Sequence, residues 1–124
     1  MPIKGSCHCG QVAFVIEGTI PDKLVRCTCS FCSKRGALHA YYAPEQFKLT
    51  TSLSDVGTYR WQSKMVAHKF CPTCGIAVYS DSPKFQMDGS WDGKTRVVCV
   101  NARLFDDLDA ASYPVDVIDG KNLW

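Results

Sequence analysis

No apolar run in this chain reaches ~18 residues, so no transmembrane helix is expected and no membrane partner follows. No long stretch carries the period of an amphipathic helix, which argues against a helical bundle and predicts a mainly β fold. Net charge is nearly absent: 14 Lys and Arg against 12 Asp and Glu leave +2, with no basic patch, which is too little to argue for a nucleic-acid partner, and none is expected. The opening segment Met1-Pro2-Ile3-Lys4-Gly5 lacks the apolar region of a secretory signal, so a cytoplasmic protein is expected. Internal repeats, low-complexity segments and linkers are also missing. Residues 1–124 therefore read as one domain, long enough for a modest core. With 46% hydrophobic and 21% charged residues the chain reads as globular rather than disordered.

Cysteine, by contrast, is abundant. Seven of the eight cysteines fall into three tight clusters, Cys7/Cys9, Cys27/Cys29/Cys32 and Cys71/Cys74, while Cys99 stands alone. Disulfides are rare in a reducing compartment, and close spacings there point to metal or redox chemistry. Clustering favours metal, because stapling disulfides are more scattered.

Phe70-Cys71-Pro72-Thr73-Cys74-Gly75 has the form of a zinc knuckle. Pro72 fixes one backbone angle of the turn, and Gly75 permits a positive φ that other residues resist. Such a turn aims backbone N–H groups at the sulfurs. A knuckle supplies two ligands, whereas structural zinc takes four in a tetrahedron. Ser6-Cys7-His8-Cys9-Gly10 offers the other two. Cys7, Cys9, Cys71 and Cys74 thus assemble into a closed structural zinc site. Metal binding at such a site contributes folding free energy on the order of 10 kcal/mol.

The segment Cys27-Thr28-Cys29-Ser30-Phe31-Cys32 gives three thiolates and no obvious fourth partner. Three protein ligands and one exchangeable position is the build of a catalytic zinc site. A second zinc is therefore expected on Cys27, Cys29 and Cys32, the more labile of the two, able to take water or a substrate thiolate. A thiol held by the cation loses its proton near neutral pH and becomes a nucleophile toward an aldehyde. His39 and His68 are weighed as fourth ligands, and His8 is expected to point away from the metal. Cys99 reads as a small buried residue, with a reserve ligand or redox partner as the alternative. Lys34 and Arg35 form a solvated basic face or else offset the thiolate charge and bind an acidic substrate.

Along the chain, strands are read at 11–18, 37–42, 48–50, 56–61, 66–70, 76–80 and 96–101, and an edge strand near 115–120. Residues 48–70 look like a hairpin or meander. Ser30 is placed as a helix cap after the second cluster, Pro44 opens one helical turn, and 81–95 is polar and turn-rich. The strand–knuckle–strand unit resembles a zinc ribbon.

The three cysteine segments, together with Val100-Asn101-Ala102-Arg103-Leu104-Phe105-Asp106-Asp107, Pro114-Val115 and Asp119-Gly120-Lys121-Asn122, resemble the glutathione-dependent formaldehyde-activating family, also called Gfa-like or centromere-protein-V-like. Order, internal spacings and flanking glycines agree over nearly the whole chain. The resemblance implies an Mss4-like β-tent, twisted antiparallel sheets around a zinc ribbon with few short helical turns. It implies the same two zinc ligand sets, the second linked to glutathione and catalysis. The family reaction joins formaldehyde and glutathione into S-hydroxymethylglutathione and is grouped with carbon–sulfur lyases. The expected partner is a small-molecule thiol and aldehyde, with glutathione as substrate or ligand, and the chain a monomer or homodimer.

Three functions follow. The leading one is a zinc-dependent lyase-type enzyme acting on a thiol adduct of a small aldehyde, with Lys34, Arg35, Arg60 and Lys69 available to the carboxylates of glutathione. Tyr59 and Trp61 read as core, with pocket lining as the alternative. The second is a zinc-stabilised binding module without chemistry. The third is a redox protein in which Cys29 and Cys32 close a disulfide and eject the metal.

Overall fold

The structure, a computed structural model, describes residues 2–86 and 88–123, with the backbone alone at Leu123. Met1, the first residue of the segment read for a signal, lies outside the described residues. Ten strands form two sheets. β1 (Ile3–Ser6), β2 (Ala13–Ile16) and β5 (Phe47–Leu49) make the smaller sheet in the order β1-β2-β5. The larger sheet contains β3 (Leu24–Cys27), β4 (His39–Tyr42), β6 (Gly57–Tyr59), β7 (Ala67–Phe70), β8 (Ala77–Pro83), β9 (Arg96–Asn101) and β10 (Val115–Ile118). Their order is β10-β3-β4-β9-β8-β7-β6. One short helix, α1 (Ser30–Arg35), follows β3, and α2 (Gly120–Leu123) ends the described chain. The rest is short 3-10 turns, as at Pro44–Gln46 and Ala102–Leu104. This is the mainly β, Mss4-like architecture that the resemblance implies.

The sheets meet in one apolar cluster. β2 alternates, so Phe14 and Ile16 point inward, where they join Leu24 of β3, Val78 of β8 and Val100 of β9. β9 is central, and its last four residues, Val98 to Asn101, are all buried, as a strand flanked on both edges must be. Aromatic rings bridge the sheets: Phe14 stands 6.2 Å from Phe105, and Phe47 stands 4.5 Å from Tyr79. At Gly5 one backbone passes close to another. A Cβ there would lie 2.5 Å from both the Leu104 carbonyl and the Phe14 ring, so no larger residue fits without a shift.

Several expectations are corrected. The sheets are not wholly antiparallel, because β10 pairs parallel with β3. After β9 the chain crosses back through 3-10 turns to the far edge, the long return a parallel pair demands. β5 is not part of a meander with β6 and β7; it pairs with β2, where Phe47 completes the inter-sheet aromatic contact. β8 runs on through Asp81–Pro83 because β9 extends back to Arg96, whose guanidinium meets Asp81 at 3.0 Å. Strand β6 stops at Tyr59, and Gln62 and Lys64 take positive φ in the turn that follows.

Candidate metal centres and an adjoining cleft

The first centre is built by two turns of the same design. Cys7 N–H donates to Val12 O at 2.9 Å after β1, and Cys71 N–H donates to Ile76 O at 3.0 Å after β7. Each turn carries a glycine at positive φ, 83° at Gly10 and 77° at Gly75. Backbone N–H groups are thereby aimed at sulfur. Val12 donates to Cys7 at 3.3 Å and Cys74 donates to Cys71 at 3.5 Å. The same kind of contact, from the Cys9 and Ile76 N–H groups, holds the Cys74 thiol down to about 6. The Cys74 N–H likewise lowers Cys71.

The four sulfurs of Cys7, Cys9, Cys71 and Cys74 lie within 4.8 Å of one another. Cys7 stands 3.7 Å from Cys9, and Cys9 stands 3.6 Å from Cys71. Zinc–sulfur bonds of ~2.3 Å in a tetrahedron place sulfurs about 3.8 Å apart, so this donor set fits zinc. The centre joins the β1–β2 turn of the small sheet to the β7–β8 turn of the large one. His8 is exposed and outside the cluster, as expected.

The second cluster lies where β3 ends and α1 begins. The three sulfurs of Cys27, Cys29 and Cys32 also lie within 4.8 Å of one another. Cys29, not Ser30, caps the helix: its sulfur accepts from Cys32 N–H at 3.3 Å, which satisfies one free donor of the first turn. Cys29 N–H in turn donates to Cys27 Sγ at 3.5 Å. Burial raises the Cys32 thiol, and the nearby Arg35 cation opposes that rise. Burial would also raise Cys29, yet the Cys32 N–H and the neighbouring thiols bring it below the usual value. Three thiolates fit zinc with one position left over.

Of the weighed fourth ligands, His39 comes near and His68 does not. His39 Nε2 lies 3.8 Å from Cys32 Sγ, but the ring does not join the three sulfurs as a mutual cluster. Its Nδ1 stands 2.9 Å from Cys99 Sγ, so the solitary cysteine has a partner after all. Burial, with the Arg35 cation nearby, holds His39 down to about 4, and burial pushes Cys99 up to about 12. His68 Nδ1 instead lies 2.8 Å from Ser80 Oγ and 3.5 Å from Arg35 Nη1.

Beside α1 opens a cleft of about 550 Å³. Phe31, Lys34 and Arg35 face it from the helix at i, i+3 and i+4, the spacing that puts side chains on one face. Lys69 enters from β7 and Arg103 from the turn after β9. These four cations are accompanied by no carboxylate among the described lining residues. Arg35 lies over the Phe31 ring at 4.6 Å, and its Nε is buried with no hydrogen-bond partner among the described residues. Its charge lowers the pKa of Cys32, His39 and Cys99 against or alongside the effect of burial, so the guanidinium acts on the cysteine cluster as well as on the cleft.

Of the four cations that the sequence offers to the carboxylates of a thiol substrate, Lys34, Arg35 and Lys69 line this cleft. Arg60 is not among them; it donates to Lys64 O at 3.0 Å away from the cleft. Tyr59 lines the cleft and is 50% exposed, so reading it as core was wrong, because β6 is an edge strand. Trp61 packs on Phe31 at 5.9 Å. Arg103 and Asn101 were not singled out as site residues. Both sit in the family-like segment after Cys99, and that was the available signal.

The sequence model of the glutathione-dependent formaldehyde-activating enzyme family matches residues 2–116. Among solved structures, the crystal structure of a Rhodobacter sphaeroides protein, a structural genomics target, is similar with a TM-score of 0.71 and 26% identity. That likeness covers 91% of this chain and 99% of the other. The family match runs from the start of β1 into β10 and takes in both cysteine centres and the cationic cleft, so the chain belongs to the glutathione-dependent formaldehyde-activating enzyme family.

Proposed function

We propose that this chain is a zinc-dependent carbon–sulfur lyase-type enzyme acting on the adduct of glutathione, or a similar thiol, with formaldehyde or another small aldehyde. The observation that carries the reading is the contrast between the centres. Four sulfurs enclose one, whereas three form the other, next to a cleft rich in cations and without a carboxylate among its described lining residues. Cys7, Cys9, Cys71 and Cys74 are assigned to structural zinc, and Cys27, Cys29 and Cys32 to the catalytic one. Zinc on the latter supplies an exchangeable coordination position and a cation that favours a thiolate over a thiol.

The chain's own groups do the rest. Lys34, Lys69 and Arg103 bind the carboxylates of the thiol substrate. Arg35, fixed over Phe31, favours negative charge at the inner end of the cleft. Phe31 and Tyr59 cover the apolar part of the substrate and exclude water from it. In the adding direction the sulfur–carbon bond forms, the carbonyl π pair moves to oxygen, and the thiol proton ends on that oxygen. The lyase direction reverses each step. Free thiols at both centres suit a reducing compartment, and a cytoplasmic location is part of this reading.

Native mass spectrometry of reduced, zinc-saturated protein, with and without glutathione, tests this reading. Two zincs, with glutathione retained on one centre, are expected. Rates of S-hydroxymethylglutathione formation above the uncatalysed background then establish turnover. The approach of His39 to Cys32 favours a second reading, a binding module whose second zinc is closed by imidazole. Two zincs that neither exchange nor gain glutathione would support that instead.

A further inference from the structure

The proposed chemistry leaves two buried, reactive side chains without a task. His39 is 4% exposed and Cys99 is 9% exposed. They lie on the neighbouring strands β4 and β9, whose register sets Tyr41 opposite Cys99 and His39 opposite Asn101. Cys99 is thus a diagonal neighbour of His39 on one face, close enough for the 2.9 Å contact with Nδ1. The other nitrogen of the same ring reaches Cys32 Sγ at 3.8 Å.

The donors around the three sulfurs define what that second contact does. In the three-cysteine centre, Cys27 Sγ accepts from a backbone N–H and so does Cys29 Sγ. Among the described residues no backbone N–H reaches Cys32 Sγ; the His39 ring is the nitrogen beside it. A thiolate that ligates a metal can only accept, so the hydrogen must sit on Nε2. An imidazole with a single N–H then presents Nδ1 as an acceptor, and the group facing Nδ1 is the Cys99 thiol, whose S–H must donate.

We propose that Cys99 and His39 are positioning residues of the three-cysteine centre: Cys99 S–H fixes the imidazole tautomer, and His39 Nε2–H holds the Cys32 sulfur in place as a ligand. The pair does for Cys32 what the turn backbone does for Cys27 and Cys29. It is an outer layer of the kind that orients metal ligands elsewhere. The inference rests on Cys27, Cys29 and Cys32 holding zinc, as proposed above.

The test uses the full-length, zinc-loaded protein and two measurements. Nitrogen-15 chemical shifts of His39 report its tautomer, with Nε2–H expected. Release of the more labile zinc to a chromogenic chelator reports how firmly Cys32 is held. Cys99→Ala and His39→Ala should release it about tenfold faster or more. Cys99→Ser keeps a donor, and His39→Gln places an amide N–H near the Nε2 position. Both should return to within about threefold of wild type, which loss of packing alone would not produce. An Nδ1–H tautomer overturns the proposal, since Nε2 would then be a ligand and not a donor. Release from His39→Gln as fast as from His39→Ala also overturns it. A misfolded variant is recognised by loss of the four-cysteine zinc, and the tautomer of the wild-type protein then decides alone. A zinc count of one in the wild type would remove the lyase reading itself and the relay with it, whereas two zincs with the wrong tautomer sink only the relay.

Discussion

Cys9 Sγ and Cys71 Sγ lie 3.6 Å apart although 62 residues separate them in the chain. Cys71 is fully buried and Cys9 is exposed. If these residues served only to pack, replacing Cys9 would cost little and replacing Cys71 much. A shared zinc would make them equivalent. Cys9→Ser and Cys71→Ser should each lose one zinc and destabilise the fold by several kcal/mol, on the order expected for a structural site. Zinc counting and thermal melts check this. A Cys9→Ser protein with full metal and an unchanged melt would contradict the assignment.

The cleft cations should act through charge. Lys34→Gln and Lys69→Gln are each expected to weaken glutathione binding about two- to fivefold, the size of a partly exposed ion pair. The effect should shrink in 1 M salt, where screening acts over ~3 Å. Arg60→Gln, outside the cleft, serves as the control and should change binding little. Calorimetric titrations at two salt concentrations decide; equal effects from Lys69 and Arg60 would argue against the cleft as the binding site.

Stability should fall on mild acidification, partly through His68. Burial, with the Arg35 cation beside it, lowers this ring from 6.5 to about 4. Between those values the unfolded chain binds more protons than the native one, so the His68 contribution is complete above about 6.5 and declines as pH falls toward 4. His68→Gln should flatten this part of the profile by on the order of 1 kcal/mol, allowing for solvent screening of a half-buried ring. His39 and the zinc ligands contribute the same background to both proteins. Urea unfolding at pH 7.5, 6 and 5 compares them, and parallel profiles would refute the assignment.

Asn101 ties three segments together. Its side chain accepts from Leu38 N–H at 3.4 Å and Arg103 N–H at 3.2 Å and donates to Ala77 O at 2.9 Å. Asn101→Ala strands these backbone groups in a buried setting. Stability should drop by about 2–3 kcal/mol in urea unfolding, with both zincs retained. A cost below ~0.5 kcal/mol would mean that water replaces the amide.

How far these residues could be read beforehand followed from how local their partners are. The cysteine turns were legible because each pair carries its own glycine and its own spacing. β9 was legible as a run of β-branched residues. The β1 segment Ile3-Lys4-Gly5-Ser6 was not, because only one of its residues favours a strand and β2 supplies the reason for it to extend. The Cys29 cap was missed because sulfur is an uncommon capping acceptor, and Ser30 next to it is a common one. The pairing of His39 with Cys99 and the arrival of Arg103 at the cleft depend on sheet order. No local pattern encodes which strand β9 lies beside.

The separation of Cys9 from Cys71 also bears on how the protein is made. A ribosome delivers the β1–β2 turn first, but that turn holds only two of four sulfurs. The others emerge 62 residues later, roughly 3–12 s at ordinary elongation rates. Cys27, Cys29 and Cys32 fall within six consecutive residues and complete their set during that wait. Synthesis thus completes the three-sulfur set before the four-sulfur set exists, and the knuckle is the part whose arrival brings the turns of the two sheets together.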